Sequence, residues 1–284
     1  MACNNGPVAP AAVDVSPSMR LVGQIAQLRA WLRAESPVAI AFSGGADSAL
    51  LAYVAASTDG VDAVSITAVS PSLATQEFDD CAALADEWNL KWLTVETDEM
   101  LDAAYRQNDL DRCFHCKSAL MRAFDGLRDH IGTRTLLLGV NTDDLNDHRP
   151  GQEAALLGGA RFPFVELAMS KADVREISRY LGLRTWDKPA APCLASRVPY
   201  GTEVTVELLG RVERAESCLR ACGIRTSRVR HHGEVARIEV QPDDFDRVIS
   251  HRERIESEFR SIGFRYVALD LGGLRSGSLN PPKV

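Results

Sequence analysis

The chain lacks a basic excess: 32 Lys and Arg stand against 39 Asp and Glu in 284 residues, a formal charge of −7 with neutral histidines. That balance excludes the electrostatic footprint of a general nucleic-acid binder, whose affinity rests on many phosphate contacts. Long apolar runs are also missing. Runs such as Val38 to Phe42 and Thr135 to Val140 fall far short of the roughly 20 residues that cross a bilayer, so no membrane span is expected. Residues 1–18 are rich in Ala, Pro, Val and Ser but have no basic start followed by an apolar core. They are expected to form a disordered tail and not a signal peptide. No internal repeat stands out, and beyond this tail no segment is of low complexity. What remains is 45% hydrophobic and 25% charged, the composition of an ordinary globular protein with one large domain or two unequal ones; wholesale disorder, collagen and coiled coil are excluded. Seven cysteines without a secretory signal point to a reducing compartment, the cytoplasm, with thiols free, metal-bound or catalytic.

Leu21, Ile25, Leu28 and Leu32 recur at helical spacing, and the apolar run from Pro37 to Phe42 predicts a strand. The alternation then repeats: β-rich from Val61 to Val69, helical from about Thr75 to Trp88, a strand from Lys91 to Val95, a long helical region to about Ile131, and a strand from Thr135 to Val140. Continuous apolar strands between amphipathic helices imply a parallel sheet covered on both faces, with ligands bound beyond the carboxyl ends of its strands. Ser170 predicts a cap for a helix to Leu181, and Pro189, Pro192 and Pro199 predict a loop or linker from Leu183 to Gly201. After it, a helix (206–222), strands (226–230 and 235–240), a helix (242–262) and a strand (265–271) predict a small α+β unit of ferredoxin-like character. The expected domains are residues 19–200 and 201–284.

The most informative segment is Ser43-Gly44-Gly45-Ala46-Asp47-Ser48, between the first predicted strand and a helix. Adjacent glycines let the backbone bend and approach an anion, and the serine hydroxyls and helix amino terminus complete a cradle for pyrophosphate. The terminal Gly-Lys-Ser/Thr of a Walker A loop is absent. Asp47 would repel phosphate directly, so its role is to hold Mg²⁺ or to fix the turn. A plain strand-to-helix turn capped by Asp47 is the alternative.

This segment resembles the SGGxDS loop of the PP-loop ATP pyrophosphatase superfamily, whose members activate a substrate by transferring AMP and releasing pyrophosphate. The resemblance narrows to the LarE family, ATP-dependent sulfur-insertion enzymes of nickel-pincer cofactor assembly. It rests on the stretch from Gly139 to Gly151, on Pro192-Cys193-Leu194-Ala195-Ser196-Arg197 with Pro199-Tyr200-Gly201, and on Asp270 to Gly277. It implies a PP-loop α/β fold, adenylation of a carboxylate of pyridinium-3,5-biscarboxylic acid mononucleotide, conversion to a thiocarboxylate, and a homo-oligomer.

Adenylation fits the chemistry, because a carboxylate offers sulfur only oxide as a leaving group while an acyl adenylate offers AMP. The loop (Ser43, Gly44, Gly45, Asp47 and Ser48) must hold the departing phosphates, with Mg²⁺ offsetting their charge. Arg197 and Lys171 are the candidate cationic helpers; Lys171 reads equally as a solvated charge at a helix start. Cys113 and Cys116, in Arg112-Cys113-Phe114-His115-Cys116-Lys117, are spaced to converge on one centre, and the flanking basic residues are expected to favour thiolates. With Cys193 they would make a three-thiol site for an iron–sulfur cluster with one open iron, or for zinc. The family resemblance implies a [4Fe-4S] cluster, an open iron that passes sulfide to the adenylate, and hence a sulfide donor. In other members the loop cysteine surrenders its own sulfur. A redox dithiol, a structural zinc or separate buried thiols are the remaining alternatives. Cys81, Cys218 and Cys222 read as packing, and Cys3 falls in the tail.

Asp143, Asp144 and Asp147 follow a strand end, where they would bind Mg²⁺ or a ribose or stand solvated as an acidic loop, and Arg149 reads as a phosphate or carboxylate clamp or as a solvated charge. Arg228 and Arg230 lie two apart on one predicted strand, as a grip for a mononucleotide phosphate or as a solvated pair; Glu239 on the next strand is a weaker metal or substrate contact. His231 and His232 receive no role. Two other functions stay open: tRNA thiolation, which the acidic balance disfavours, and an adenine-nucleotide-binding regulator without turnover.

Overall fold

The computed structural model of the chain describes residues 19–146, 150–275 and 278–279. The amino-terminal tail, Cys3, Asp147 and Arg149 lie outside the described residues.

Helix α1 (Met19–Glu35) buries Leu21, Ile25, Leu28 and Leu32, the stripe its spacing predicts. It leads to β1 (Val38–Ala41), α2 (Ala46–Ala56), β2 (Ala63–Val69), α3 (Thr75–Glu87) and β3 (Trp92–Glu96). The predicted long helix is broken into α4 (Ala103–Gln107), α5 (Arg112–Gly126) and α6 (Arg128–Ile131). The break falls at Asn108, whose φ of 62° takes it out of the helical region. Its side-chain amide donates to the carbonyls of Pro199 (2.8 Å) and Thr202 (3.0 Å), so tertiary bonds replace the helical ladder there. The strand predicted to Val140 stops early, at β4 (Thr135–Leu137), and the chain from Leu138 to Asn141 turns toward the sheet's end. Two further helices, α7 (Pro150–Leu157) and α8 (Pro163–Glu166), lie between β4 and the helix that Ser170 caps. Helix α9 (Lys171–Tyr180) starts as predicted at Ser170, whose hydroxyl accepts from the Asp173 amide while Asp173 accepts from the Ser170 amide, a reciprocal cap.

Among the described residues the first sheet is parallel throughout, in the order β3-β2-β1-β4. Strand alternation feeds two cores. Val38, Ile40 and Leu137 face one with α1, α2 and α9, and Ala39, Leu136, Val64 and Ile66 face the other with α5 and α7. The fold is α/β with helices on both faces. Chain order reverses at β1, which β2 flanks on one side and β4 on the other, so the crevice at their carboxyl ends is where such a sheet takes a ligand.

The carboxyl-terminal region holds α10 (Val206–Ala221), β5 (Ser227–His232), β6 (Val235–Val240), α11 (Phe245–Ser250), α12 (Arg252–Ser261) and β7 (Tyr266–Leu269). The single helix predicted over 242–262 is divided at His251. Strands β5 and β6 pair antiparallel and β6 and β7 parallel, giving a separate three-stranded sheet with a core of its own around Leu219, Ile238 and Phe259.

The proline-rich segment is no loose linker. Lys188 pairs with Glu77 and Asp80 of α3, both at 2.9 Å. Arg197, in a short 3-10 turn (Leu194–Arg197), reaches Glu216 of α10 with Nε at 2.8 Å and Nη2 at 3.1 Å. Glu216 also accepts from the Val229 amide at 2.9 Å. Replacing Glu216 with Ala strands a buried guanidinium and a buried N–H together. We expect a loss of about 3–5 kcal/mol, read from the urea midpoint.

Candidate active site

Ser43, Gly44 and Gly45 follow β1 and lead into α2. Gly44 has φ +66°, a left-handed value, and a Cβ there would stand 3.0 Å from the Cys81 sulfur. Cys81 is buried, and burial pushes its thiol up to about 11, so it packs as an inert apolar group. Ser48 Oγ stitches the turn, accepting from the Ser43 amide (3.2 Å), donating to the Gly45 carbonyl (3.2 Å) and lying 3.1 Å from Ser43 Oγ. Gly45 caps α2 without any side-chain bond, leaving the first-turn amides open toward an anion.

Against the turn stands Gly139, the first residue of the LarE-like stretch, for which the sequence pattern suggests no role of its own. A Cβ on it would lie 2.8 Å from both the Asp47 carbonyl carbon and the Ser48 amide nitrogen, so the backbone after β4 presses directly on the turn. Asp47 is held on two sides: Lys171 Nζ forms an ion pair with Oδ2, and Asn141 Nδ2 donates to Oδ1 at 3.1 Å. Asn141, from the same stretch, likewise shows its role only in the fold. The Lys171 amide donates to Asp143 at 2.6 Å, and Asp144 accepts from the Asn141 amide at 3.2 Å. Lys171 is thus a positive neighbour of the turn, and the two acidic residues shape the loop after β4.

The turn opens onto a cavity of about 800 Å³ that Ser43, Asp47, Ser48, Asn141 and Lys171 share with Cys113, Cys116 and Cys193. Two elements carry the thiols: Cys113 and Cys116 the first turn of α5, Cys193 the start of the 3-10 turn. The Leu194 amide donates to the Ser72 carbonyl (2.8 Å), and Arg197 donates to the Pro192 carbonyl and to the Cys193 carbonyl (3.3 Å), which fixes the loop.

The expected activation of these thiols by flanking cations is not what the structure gives at Cys116. Burial, then the neighbouring Cys193, pushes its thiol from 9.0 up to about 12, and Lys117 only partly offsets this. Arg112 is turned away to the Asn108 side chain and the Ala195 carbonyl (2.9 Å), and His115 lies between Asp102 (3.0 Å) and Asp111 (3.5 Å). A thiol whose pKa is raised on folding adds stability below its unfolded value, near pH 9, and that contribution drains away as pH climbs toward 12. Without metal, iodoacetamide at pH 9 should therefore label exposed Cys113 well before Cys116, and peptide mass mapping gives the order.

Other predicted site residues lie elsewhere. The Arg197 guanidinium is buried against Glu216 and does not wall the cavity. Arg230 is committed to Glu239, with Nε at 3.0 Å and Nη2 at 2.9 Å, and to the Ser196 carbonyl at 2.8 Å. Glu239, fully buried, also accepts from Arg237 (3.1 Å) and Ser278 (2.6 Å); both its oxygens are taken, which makes it a structural acceptor and leaves no face for a metal. Arg228 is half-buried and donates to the Arg275 carbonyl at 3.0 Å. Burial, then Arg230 and Arg197, lowers its pKa below the ordinary arginine value.

Among the described residues no three His, Cys, Asp or Glu side chains are drawn together as a ready metal site. The donor chemistry nonetheless suits a soft metal: three thiols line one cavity, and the charge of Cys193 and of Cys113 is felt at Cys116.

Fold and turn together define a PP-loop α/β protein. No protein-family model matches the chain. It is 48% identical over 244 residues to an uncharacterised protein of Synechocystis sp., covering 85% of this chain and 91% of that one. To the pyridinium-3,5-bisthiocarboxylic acid mononucleotide synthase of Lactiplantibacillus plantarum it is 36% identical over 256 residues, 90% of this chain and 93% of the synthase. An uncharacterised protein of Methanocaldococcus jannaschii is 27% identical over 239 residues, 84% of this chain and 91% of its own. The chain belongs to the family of that synthase, the LarE family.

Proposed function

We propose that this protein is an ATP-dependent sulfur transferase that adenylates a carboxylate of a pyridinium dicarboxylate mononucleotide and converts it to a thiocarboxylate. One observation carries the reading: the phosphate-cradle turn and three thiols wall the same cavity, so a carboxylate activated at one side is within reach of sulfur at the other. The synthase relative, named for a bisthiocarboxylic acid mononucleotide, supports the substrate class.

In the first half-reaction a carboxylate oxygen attacks the α-phosphorus of ATP, the bond to the bridging oxygen breaks, and pyrophosphate leaves. The open amides of α2 and the hydroxyls of Ser43 and Ser48 receive the departing phosphates. Lys171 stands by to offset their charge, and Mg²⁺ arriving with ATP adds to it beside Asp47. In the second half-reaction hydrosulfide sulfur bonds to the acyl carbon, AMP departs, and one proton is released. A [4Fe-4S] cluster held by Cys113, Cys116 and Cys193 would supply an iron without a protein ligand, a place to carry that sulfur. Arg228, which spends a donor on the Arg275 carbonyl and none on a carboxylate, would attract the substrate phosphate. No described helix is long and apolar enough to cross a membrane.

The test is an anaerobic incubation with ATP, Mg²⁺, sulfide and the carboxylated mononucleotide, following pyrophosphate and product mass. The reading expects pyrophosphate only when the carboxylate is present, and a product in which oxygen is exchanged for sulfur. ATP turnover indifferent to the carboxylate, or binding without turnover, would contradict it.

A further inference from the structure

Among the described residues three cations line the cavity: Arg112, Lys117 and Lys171. Two are engaged. Lys171 pairs with Asp47, and Arg112 donates to the Asn108 side chain and to the Ala195 carbonyl (2.9 Å). Lys117 is only partly exposed, yet its side chain makes no hydrogen bond or ion pair with any described residue. A lysine drawn out of water ordinarily has a carboxylate beside it, so a free ammonium on a cavity wall marks a place for an anion that arrives with a ligand. The fold holds its stem there. Helix α7 lies so close to α5 that a Cβ on Gly151 would stand 2.9 Å from Lys117 Cγ and 3.0 Å from the Cys113 carbonyl oxygen. On α5, Lys117 is one turn beyond Cys113 and next to Cys116. Its charge therefore serves the thiol side of the cavity, while Lys171 serves the phosphate turn.

The substrate proposed above carries two carboxylates on one ring. While one is activated and attacked, the other stays ionised in the same cavity and needs a cation of its own. We infer that Lys117 Nζ pairs with this waiting carboxylate and so makes the site selective for a pyridinium dicarboxylate over a monocarboxylate. The inference rests on the substrate class proposed above. Lys117 is here a binding residue, with no part in the making or breaking of bonds.

The test compares the full chain with Lys117→Met, which keeps an apolar stem against α7 and removes the charge; thermal unfolding verifies the fold, and Lys117→Gln takes its place if the Met variant unfolds. Calorimetry on metal-free protein without ATP reads the binding of two probes, pyridinium-3,5-biscarboxylic acid mononucleotide and nicotinic acid mononucleotide, which has a single carboxylate. The wild type should hold the dicarboxylate about thirtyfold more tightly, the size of effect that one hydrogen bond to a charged group commands. Lys117→Met should erase that gap by weakening the dicarboxylate alone, and Lys117→Arg should keep most of it. In turnover, kcat/KM for pyrophosphate release should fall about thirtyfold with the dicarboxylate and stay within about twofold with the monocarboxylate. Equal losses with both probes would assign Lys117 to the reacting carboxylate, the phosphate or the thiols and overturn the inference. So would a wild type that does not tell the probes apart. A wild type that binds both probes but releases no pyrophosphate would instead defeat the proposed function, with the calorimetry still deciding the role of Lys117; a wild type that binds neither would defeat both.

Discussion

Cys193→Ser should abolish thiocarboxylate formation, by at least about a thousandfold, while carboxylate-dependent pyrophosphate release survives within a few-fold. Serine matches the shape, and the groups that hold this loop, the Ser72 carbonyl and the Arg197 guanidinium, bind backbone and not the thiol. The side chains proposed to meet phosphate, Ser43, Ser48 and Lys171, lie on other segments of the chain, so the activation half-reaction should keep its machinery. What is lost is sulfur itself, as ligand or as donor. Cys113→Ser and Cys116→Ser separate these two uses. If the three thiols share a cluster, all three variants fail alike and lose iron. If Cys193 gives up its own sulfur, the α5 variants stay active and the intact mass of used wild-type protein falls by one sulfur.

Gly139→Ala should be nearly as damaging at the other end of the cavity. The new methyl meets backbone at 2.8 Å on two atoms, and backbone cannot swing away as a flexible side chain can. Either the turn moves off the helix amino terminus or the segment after β4 does. We expect a stability loss of about 1–3 kcal/mol and at least a tenfold loss of affinity for an ATP analogue by calorimetry. The contrasting substitution is Gly23→Ala inside α1, where no described atom lies within 4 Å of the added carbon. That change removes backbone freedom from the unfolded chain without a clash and should stabilise by about 0.5–1 kcal/mol with nucleotide affinity untouched.

Much of this architecture is legible from local pattern. The α1 stripe, the strand before Ser43 and the Ser170 cap are each set by residues within a turn or two of one another, and the parallel sheet follows from their alternation. Other features depend on partners far away in sequence. Asn108 leaves the helical region because carbonyls about ninety residues on, at Pro199 and Thr202, take its side-chain amide. Arg197 and Arg230 read as anion-binding residues until Glu216 and Glu239 are seen to hold them; an arginine's sequence context does not reveal whether a ligand or a buried carboxylate awaits it. Gly139 differs from a loop glycine only through the Asp47 backbone pressed against it. The expectation of thiolates failed at Cys116 because burial outweighs the neighbouring Lys117, and burial comes from packing and not from neighbours in sequence.

The most direct test is an anaerobic crystal structure with iron, sulfide and a non-hydrolysable ATP analogue. The account predicts phosphates on the Ser43–Ser48 turn beside Lys171, and metal density bridging Cys113, Cys116 and Cys193 across the same cavity. Nucleotide bound elsewhere, or thiols that stay apart with no metal between them, would contradict it.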